Sequence, residues 1–241
     1  PLLLSSGGNG DGDGDGEDST SDDDDRNAEL RRVLNALRHA RREEKEATGG
    51  ANRTSVAAFF LRSMSELESF ACLEIFTRRH APTYFSRCLS GARSGAALVR
   101  ASIEVVDPAY SATLDERVFE NCCALPLVAS FLSCAKPIDE VVVLWDLLLA
   151  MGPHFIILLV VALVLDRKTT DLSSLQPLKM AELDGNRVGR IALDLLPRIP
   201  PPLDDLIKRH TKVDVDNNDI RSCARQLLLL QQQQQKRPLL R

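Results

Sequence analysis

The sequence predicts an all-α protein. Apolar residues recur at three- and four-residue spacing from Leu30 onward, no run shows sustained alternation, and no Asn-Gly turn joins two apolar strands. At 241 residues the chain has room for one large domain or two small ones. Only 5% of residues are aromatic, so Leu and Val must supply most of the core.

Residues 1–27 are rich in Gly, Ser and Asp, with little to bury after Leu4, and read as a disordered acidic tail. Asp11, Asp13, Asp15 and Gly16 mimic the first half of a calcium loop, but its twelfth position would be Asp22 rather than a bidentate Glu. No calcium is expected there. "PLLL" is too short for the apolar core of a signal peptide.

Leu30, Val33, Leu34 and Leu37 then mark one face of a helix that continues through "RHARREEKEA". Its basic residues are interleaved with Glu43, Glu44 and Glu46, the pattern of a solvated face. "TGGAN", residues 48–52, is expected to break the chain. Ser65-x-x-Glu68 is a capping box opening a further helix, with Leu67, Phe70, Ala71 and Glu74 on one face. Leu73, Ile75 and Phe76 widen its apolar arc. Helices are expected at 94–106, 112–121, 126–134, 184–196, 203–210 and 218–235, several of them closed by a proline.

The most apolar stretch is "PIDEVVVLWDLLLAMGPHFIILLVVALVL", residues 137–165. Pro137 suits a first helical turn, and Asp139 and Glu140 suit its positive end. Gly152 reads as a left-handed cap, and Pro153 prevents continuation. The uncharged run Phe155–Leu165 is only eleven residues, where a membrane span needs about twenty. A buried helical hairpin follows, with Trp145 and Leu149 in the core and no membrane insertion.

Several function classes are excluded. Nine of the 34 acids lie in residues 1–25, which hold no Lys or Arg, so 30 bases face 25 acids over the remainder. That balance, with no basic recognition helix, argues against nucleic acid. Six cysteines without a CxxC pair, and four histidines without ligand spacing, argue against zinc and suit reduced thiols inside a cell. "SGGNGDG" is acidic and would repel phosphate, and no hydrolase motif pairs His80 or His154 with Cys88 or Asp146. No cofactor is expected.

Residues 137–165 resemble the C-terminal half of the TBC domain, the Rab-type GTPase-activating fold, in which a "P…V..LWD.L...G" helix precedes a long apolar one. Trp145, Asp146 and Gly152 carry that motif. "SVAAFFLRSMSELESFACLEIFTRRHAPTYF" (55–85) is similar to a leucine-rich turn, capped helix and Pro-Tyr elbow of the fungal branch that controls mitotic exit and septation. "SGAALVRASIEVVDPAYSATL" (94–114), "LRRVLNAL" (30–37) and "DLLPRIPPPLDDLIKRH" (194–210) resemble further segments of it. The resemblance covers about 28–212 as a multi-helix domain incomplete at its N-terminus, leaving 213–241 as a C-terminal helix and Gln-rich tail.

The resemblance implies a Rab-like small GTPase as partner, a scaffold protein as a second one, and a cytoplasmic location associated with the cytoskeleton or spindle pole. Family members accelerate GTP hydrolysis with an arginine in "IxxDxxR", which stabilises charge on the γ-phosphate, and a glutamine in "YxQG", which orients water. Aligned on 57–61, Gly49 falls in the Tyr slot, Ala51 in the Gln slot and Asn52 in the Gly slot. Asp23-x-x-Arg26 fits the arginine motif only superficially, too close to Val33 and inside the acidic run. The expectation is therefore no catalytic residue and no enzyme. The resemblance implies a TBC-domain GTPase-activating protein, or a catalytically degenerate relative that binds a Rab-like GTPase, in mitotic exit or checkpoint control. A non-catalytic helical adaptor is the alternative. Arg53, Arg78 and Arg79 are expected as exposed contacts to the GTPase, around a groove between the 65–80 helix and residues 48–54.

Overall fold

The computed structural model describes residues 19–40, 50–86, 88–177 and 179–236, and every regular element among them is helical. The calcium-like residues Asp11, Asp13, Asp15 and Gly16, and Gly49 of the Tyr slot, lie outside the described residues.

Helix α1 spans Ser19–Ala40, so it begins inside the segment expected to be disordered. The run Asp22–Asp25 falls in its first two turns. Helix α2, Gly50–Leu61, starts where a break was expected. Val56, Ala57 and Phe60 are buried from it, and that packing overrides the poor helix propensity of Gly50. Helix α3, Glu66–Ile75, opens with the expected capping box: Ser65 accepts from the Glu68 backbone, and the Glu68 carboxylate accepts from the Ser65 N–H at 3.0 Å. It runs into a π-turn over Phe76–His80 and a 3₁₀ turn over Pro82–Phe85. Helices α1, α2 and α3 pack against one another as one layer.

Helix α4, Ser90–Val106, is central and buried along most of its length. The helix expected over 112–121 is divided instead. Asp107 caps α5 (Pro108–Ser111) and Asp115 caps α6 (Glu116–Val118), each accepting a backbone N–H at 3.0 and 2.9 Å. A π-turn over Phe119–Ala124 then leads into α7, Leu125–Ala129. Helix α7 ends short of residue 134 because Phe131 and Leu132 both take positive φ, 52° and 63°. Such backbone costs about 1–3 kcal/mol per residue. Both side chains are 1% exposed, so their burial offsets the strain.

Helix α8 (Ile138–Met151) and helix α9 (Ile156–Arg167) form the expected buried hairpin. All residues from Ile156 to Val164 are buried, since α9 is apolar all round and helices surround it. Helix α10, Gly185–Leu195, covers α8 and α9. Helices α11 (Pro201–Arg209) and α12 (Asn217–Lys236) close over α4. Among the described residues, no helix is long and apolar enough to cross a membrane.

Candidate functional site

The N-terminal layer is joined to the rest through one aromatic cluster. Trp145 of α8, 2% exposed, stacks on Phe59 of α2 at 4.3 Å and meets Phe60 edge-on at 5.5 Å. Phe76 and Phe131 complete the surround at 5.7 and 6.2 Å. The indole Nε1 is buried without a hydrogen-bond partner among the described residues, so Trp145 acts here through packing alone. Asp146 points outward and is exposed. Leu149, expected in the core, is 57% exposed: it lies one turn beyond Trp145, past the inward stripe of Val141, Leu144, Trp145 and Leu148. Gly152 does not adopt the expected left-handed cap. Its φ of 99° and ψ of 157° lie in a region open essentially to glycine alone, and its N–H still closes α8 on the Leu148 carbonyl at 2.9 Å.

The three candidate arginines separate. Arg53 is buried, at 7% exposure, and donates from Nη2 to the Phe85 carbonyl at 3.1 Å. It tethers α2 to the Pro82–Phe85 turn and is no surface contact. Sequence reasoning missed this because it placed residues 48–52 in a chain break instead of beginning α2 there. Arg78 and Arg79 are exposed on the π-turn, Arg78 at 3.6 Å from Glu74 one turn before it. Ala51 lies in the first turn of α2.

Helix α3 supplies what the arginines lack. Leu67, Ala71 and Ile75, four residues apart, line its outer side, and Leu67 and Ile75 are 78% and 48% exposed. The sequence put Leu67 and Ala71 on one face and Ile75 on its widened apolar arc, without saying which part of that arc turns inward. The inward positions are Ser69, Leu73 and Phe76. Between α1 and α3 runs a groove of about 420 Å³ lined by Val33, Ala36, Leu67 and Phe70, with Arg32 and Glu66 at its rim. Arg32 Nε meets both Glu66 oxygens, at 3.0 and 2.9 Å, and that contact holds the Glu66 carboxyl below its ordinary range. A contiguous exposed apolar strip beside a salt bridge and two arginines is the composition of a docking surface.

The second buried polar group lies where α11 meets the Pro82–Phe85 turn. His210 Nδ1 is 2.6 Å from the Ile207 carbonyl, which can only accept, so Nδ1 carries the proton. His210 Nε2 therefore accepts from the Tyr84 hydroxyl at 2.7 Å. Burial pushes the His210 pKa down to about 4 and the Tyr84 phenol well up, so both stay neutral. The Tyr84 ring lies against α4 because Gly95 has no side chain there: a Cβ would stand 2.8 Å from the Tyr84 hydroxyl. The unit is structural. Burial also raises the Cys123 thiol to about 11, far from a reactive thiolate.

The chain, all-helical among its described residues, carries on α3 an apolar face flanked by arginines. It belongs to the Rab-GTPase-TBC domain family, whose model matches residues 15–172. It is similar to the mitotic check point protein BUB2 of Saccharomyces cerevisiae, 31% identical over 54% of this chain and 44% of that protein. It is also similar to the putative mitotic check point protein BUB2 of Dictyostelium discoideum, 27% identical over 78% and 52%. Cell division control protein 16 of Schizosaccharomyces pombe is 26% identical over 63% of this chain and 52% of its own length. The chain thus spans about half the length of these curated relatives. No solved structure matches it significantly.

Family membership corrects one expectation. A chain without recognisable finger motifs was expected to be no enzyme. The family match runs through both the Asp23-x-x-Arg26 and the 49–52 segments, and the family is one of activators that catalyse GTP hydrolysis on their partners. Motif slots read one residue at a time were too strict a criterion for excluding that activity.

Proposed function

We propose that this chain stimulates GTP hydrolysis by a Rab-like small GTPase, in the control of mitotic exit or a cell-cycle checkpoint. The family match and the names of its relatives, two mitotic check point proteins and a cell division control protein, support the reading. The carrying observation is the outer side of α3, where Leu67, Ala71 and Ile75 lead to Arg78 and Arg79. On this reading the GTPase docks there, with its acidic switch surface against the two arginines.

Phosphoryl transfer places charge on the γ-phosphate oxygens, and a guanidinium supplied in trans stabilises it. Arg78 is engaged by Glu74, whereas Arg79 has no carboxylate partner among the described residues and is the cation of this face free to serve. Alanine at position 51 brings no polar side chain, so the attacking water is oriented by the GTPase's own residues. A scaffold protein is a second partner on this reading, supported by Leu229 and Leu230, exposed at 57% and 54% on α12. The activity belongs in the cytoplasm, associated with the cytoskeleton or spindle pole.

The test is binding to a panel of Rab-like GTPases loaded with a non-hydrolysable GTP analogue or with GDP. The expected result is analogue-dependent binding, weakened by Leu67→Asp and by Arg78→Glu/Arg79→Glu. Binding that these variants leave intact would place the docking face elsewhere.

A further inference from the structure

Leu2, Leu3 and Leu4 form the only apolar run before α1, and residues 1–18 lie outside the described residues. The sequence divides that stretch in two. Residues 1–10 hold no charged side chain, whereas residues 11–18 hold five acids and lead into Ser19, the first residue of α1.

The groove between α1 and α3 suits the first part and not the second. Its walls are Val33, Ala36, Leu67 and Phe70, and Leu67 is left 78% in water. The two charged residues that line it, Arg32 and Glu66, neutralise one another. One turn away along each helix stand Glu29 of α1 and Glu74 of α3. Those carboxylates disfavour an acidic occupant, while the apolar walls favour an aliphatic one. The groove on the other flank of α1 is smaller, about 220 Å³ against 420 Å³, and Arg26 and Arg62 line it.

Reach and tethering agree with this match. Ser19 and Val33 are fourteen residues apart on one helix, about 21 Å at 1.5 Å per residue. The fourteen residues between Leu4 and Ser19 can span at most about 46–50 Å. Three leucines would bind weakly as a separate peptide, but a short tether holds them near the groove at an effective concentration of about millimolar.

We propose that the segment 1–10 seats Leu2, Leu3 and Leu4 in the α1–α3 groove, covering Leu67. The seated leucines then compete with the partner that docks on the outer side of α3. The seating stands on the groove and the tether alone, and the competition rests on the proposed GTPase face.

The test introduces a thiol into the groove wall by Ala36→Cys, an exposed and conservative site. Its rate of alkylation by N-ethylmaleimide is read by peptide mass spectrometry in the full chain and in the chain lacking residues 1–10. Cys88 and Cys122, both exposed, are internal standards whose unchanged rates show that the fold is intact. The expected result is at least about threefold faster alkylation at position 36 in the truncated chain, with Leu2→Ser/Leu3→Ser/Leu4→Ser acting like the truncation. Equal rates in all three chains overturn the proposal. So does protection of an Ala58→Cys thiol instead, which would place the leucines on the other flank of α1, or protection that grows with protein concentration and belongs to a second copy. Analogue-loaded GTPase should bind the truncated chain more tightly. Protection with GTPase binding unchanged by truncation would reject the competition, whereas protection with no GTPase binding at all would reject only the reading of the α3 face.

Discussion

His210 shows how a single side chain can carry acid sensitivity for the whole fold. Its folded pKa of about 4 lies below the ordinary 6.5, mainly through burial, so the unfolded chain takes up a proton first as pH falls. Its contribution to stability is complete above pH 6.5 and is lost between 6.5 and about 4, amounting to about 3 kcal/mol. Urea titrations across that window should show the decline, and His210→Gln should flatten it. A second residue-scale test separates Trp145 from its neighbour. Trp145→Ala, at the centre of four phenylalanine rings, should cost about 3–5 kcal/mol, whereas Leu149→Ala, 57% exposed, should stay within about 0.5 kcal/mol. The burial of Trp145 was legible in the sequence because both residues near it and helix periodicity agreed. That of Leu149 was not, since in a helix apolar on most sides periodicity does not say which leucine faces out.

At the scale of elements, capping chemistry was the most readable signal and tertiary burial the least. The Ser65–Glu68 box starts α3 where expected, yet it does not decide which side of α3 turns inward. That side is chosen by the partners Leu73 and Phe76 find, which leaves Leu67 and Ile75 in solvent. Helix α2 was hidden behind two glycines, and its existence rests on the burial of Val56 and Ala57 and on Phe59 and Phe60 reaching the aromatic cluster. Arg53 is the testable consequence. Arg53→Ala removes its bond to the Phe85 carbonyl and should destabilise the protein by about 1–3 kcal/mol in thermal or chemical unfolding. The hairpin gives another. Gly152→Ala places a Cβ 3.0 Å from His154 Nδ1 at a φ of 99°, and should cost about 1–3 kcal/mol in the same assay.

Over the whole molecule, the helical architecture and the family were legible from the spacing of several segments, because burial patterns extend over many residues and tolerate local change. Activity was not legible in the same way. On the proposed reading it rests on a few exposed side chains whose placement depends on how α1, α2 and α3 pack, which the alignment of single motif slots does not reveal. The most direct measurement is single-turnover GTP hydrolysis by a panel of Rab-like GTPases with this chain in excess. At least one GTPase is expected to hydrolyse GTP faster in its presence, with Arg79→Ala removing most of the acceleration while binding persists. Hydrolysis unchanged for every GTPase that binds the chain would contradict it.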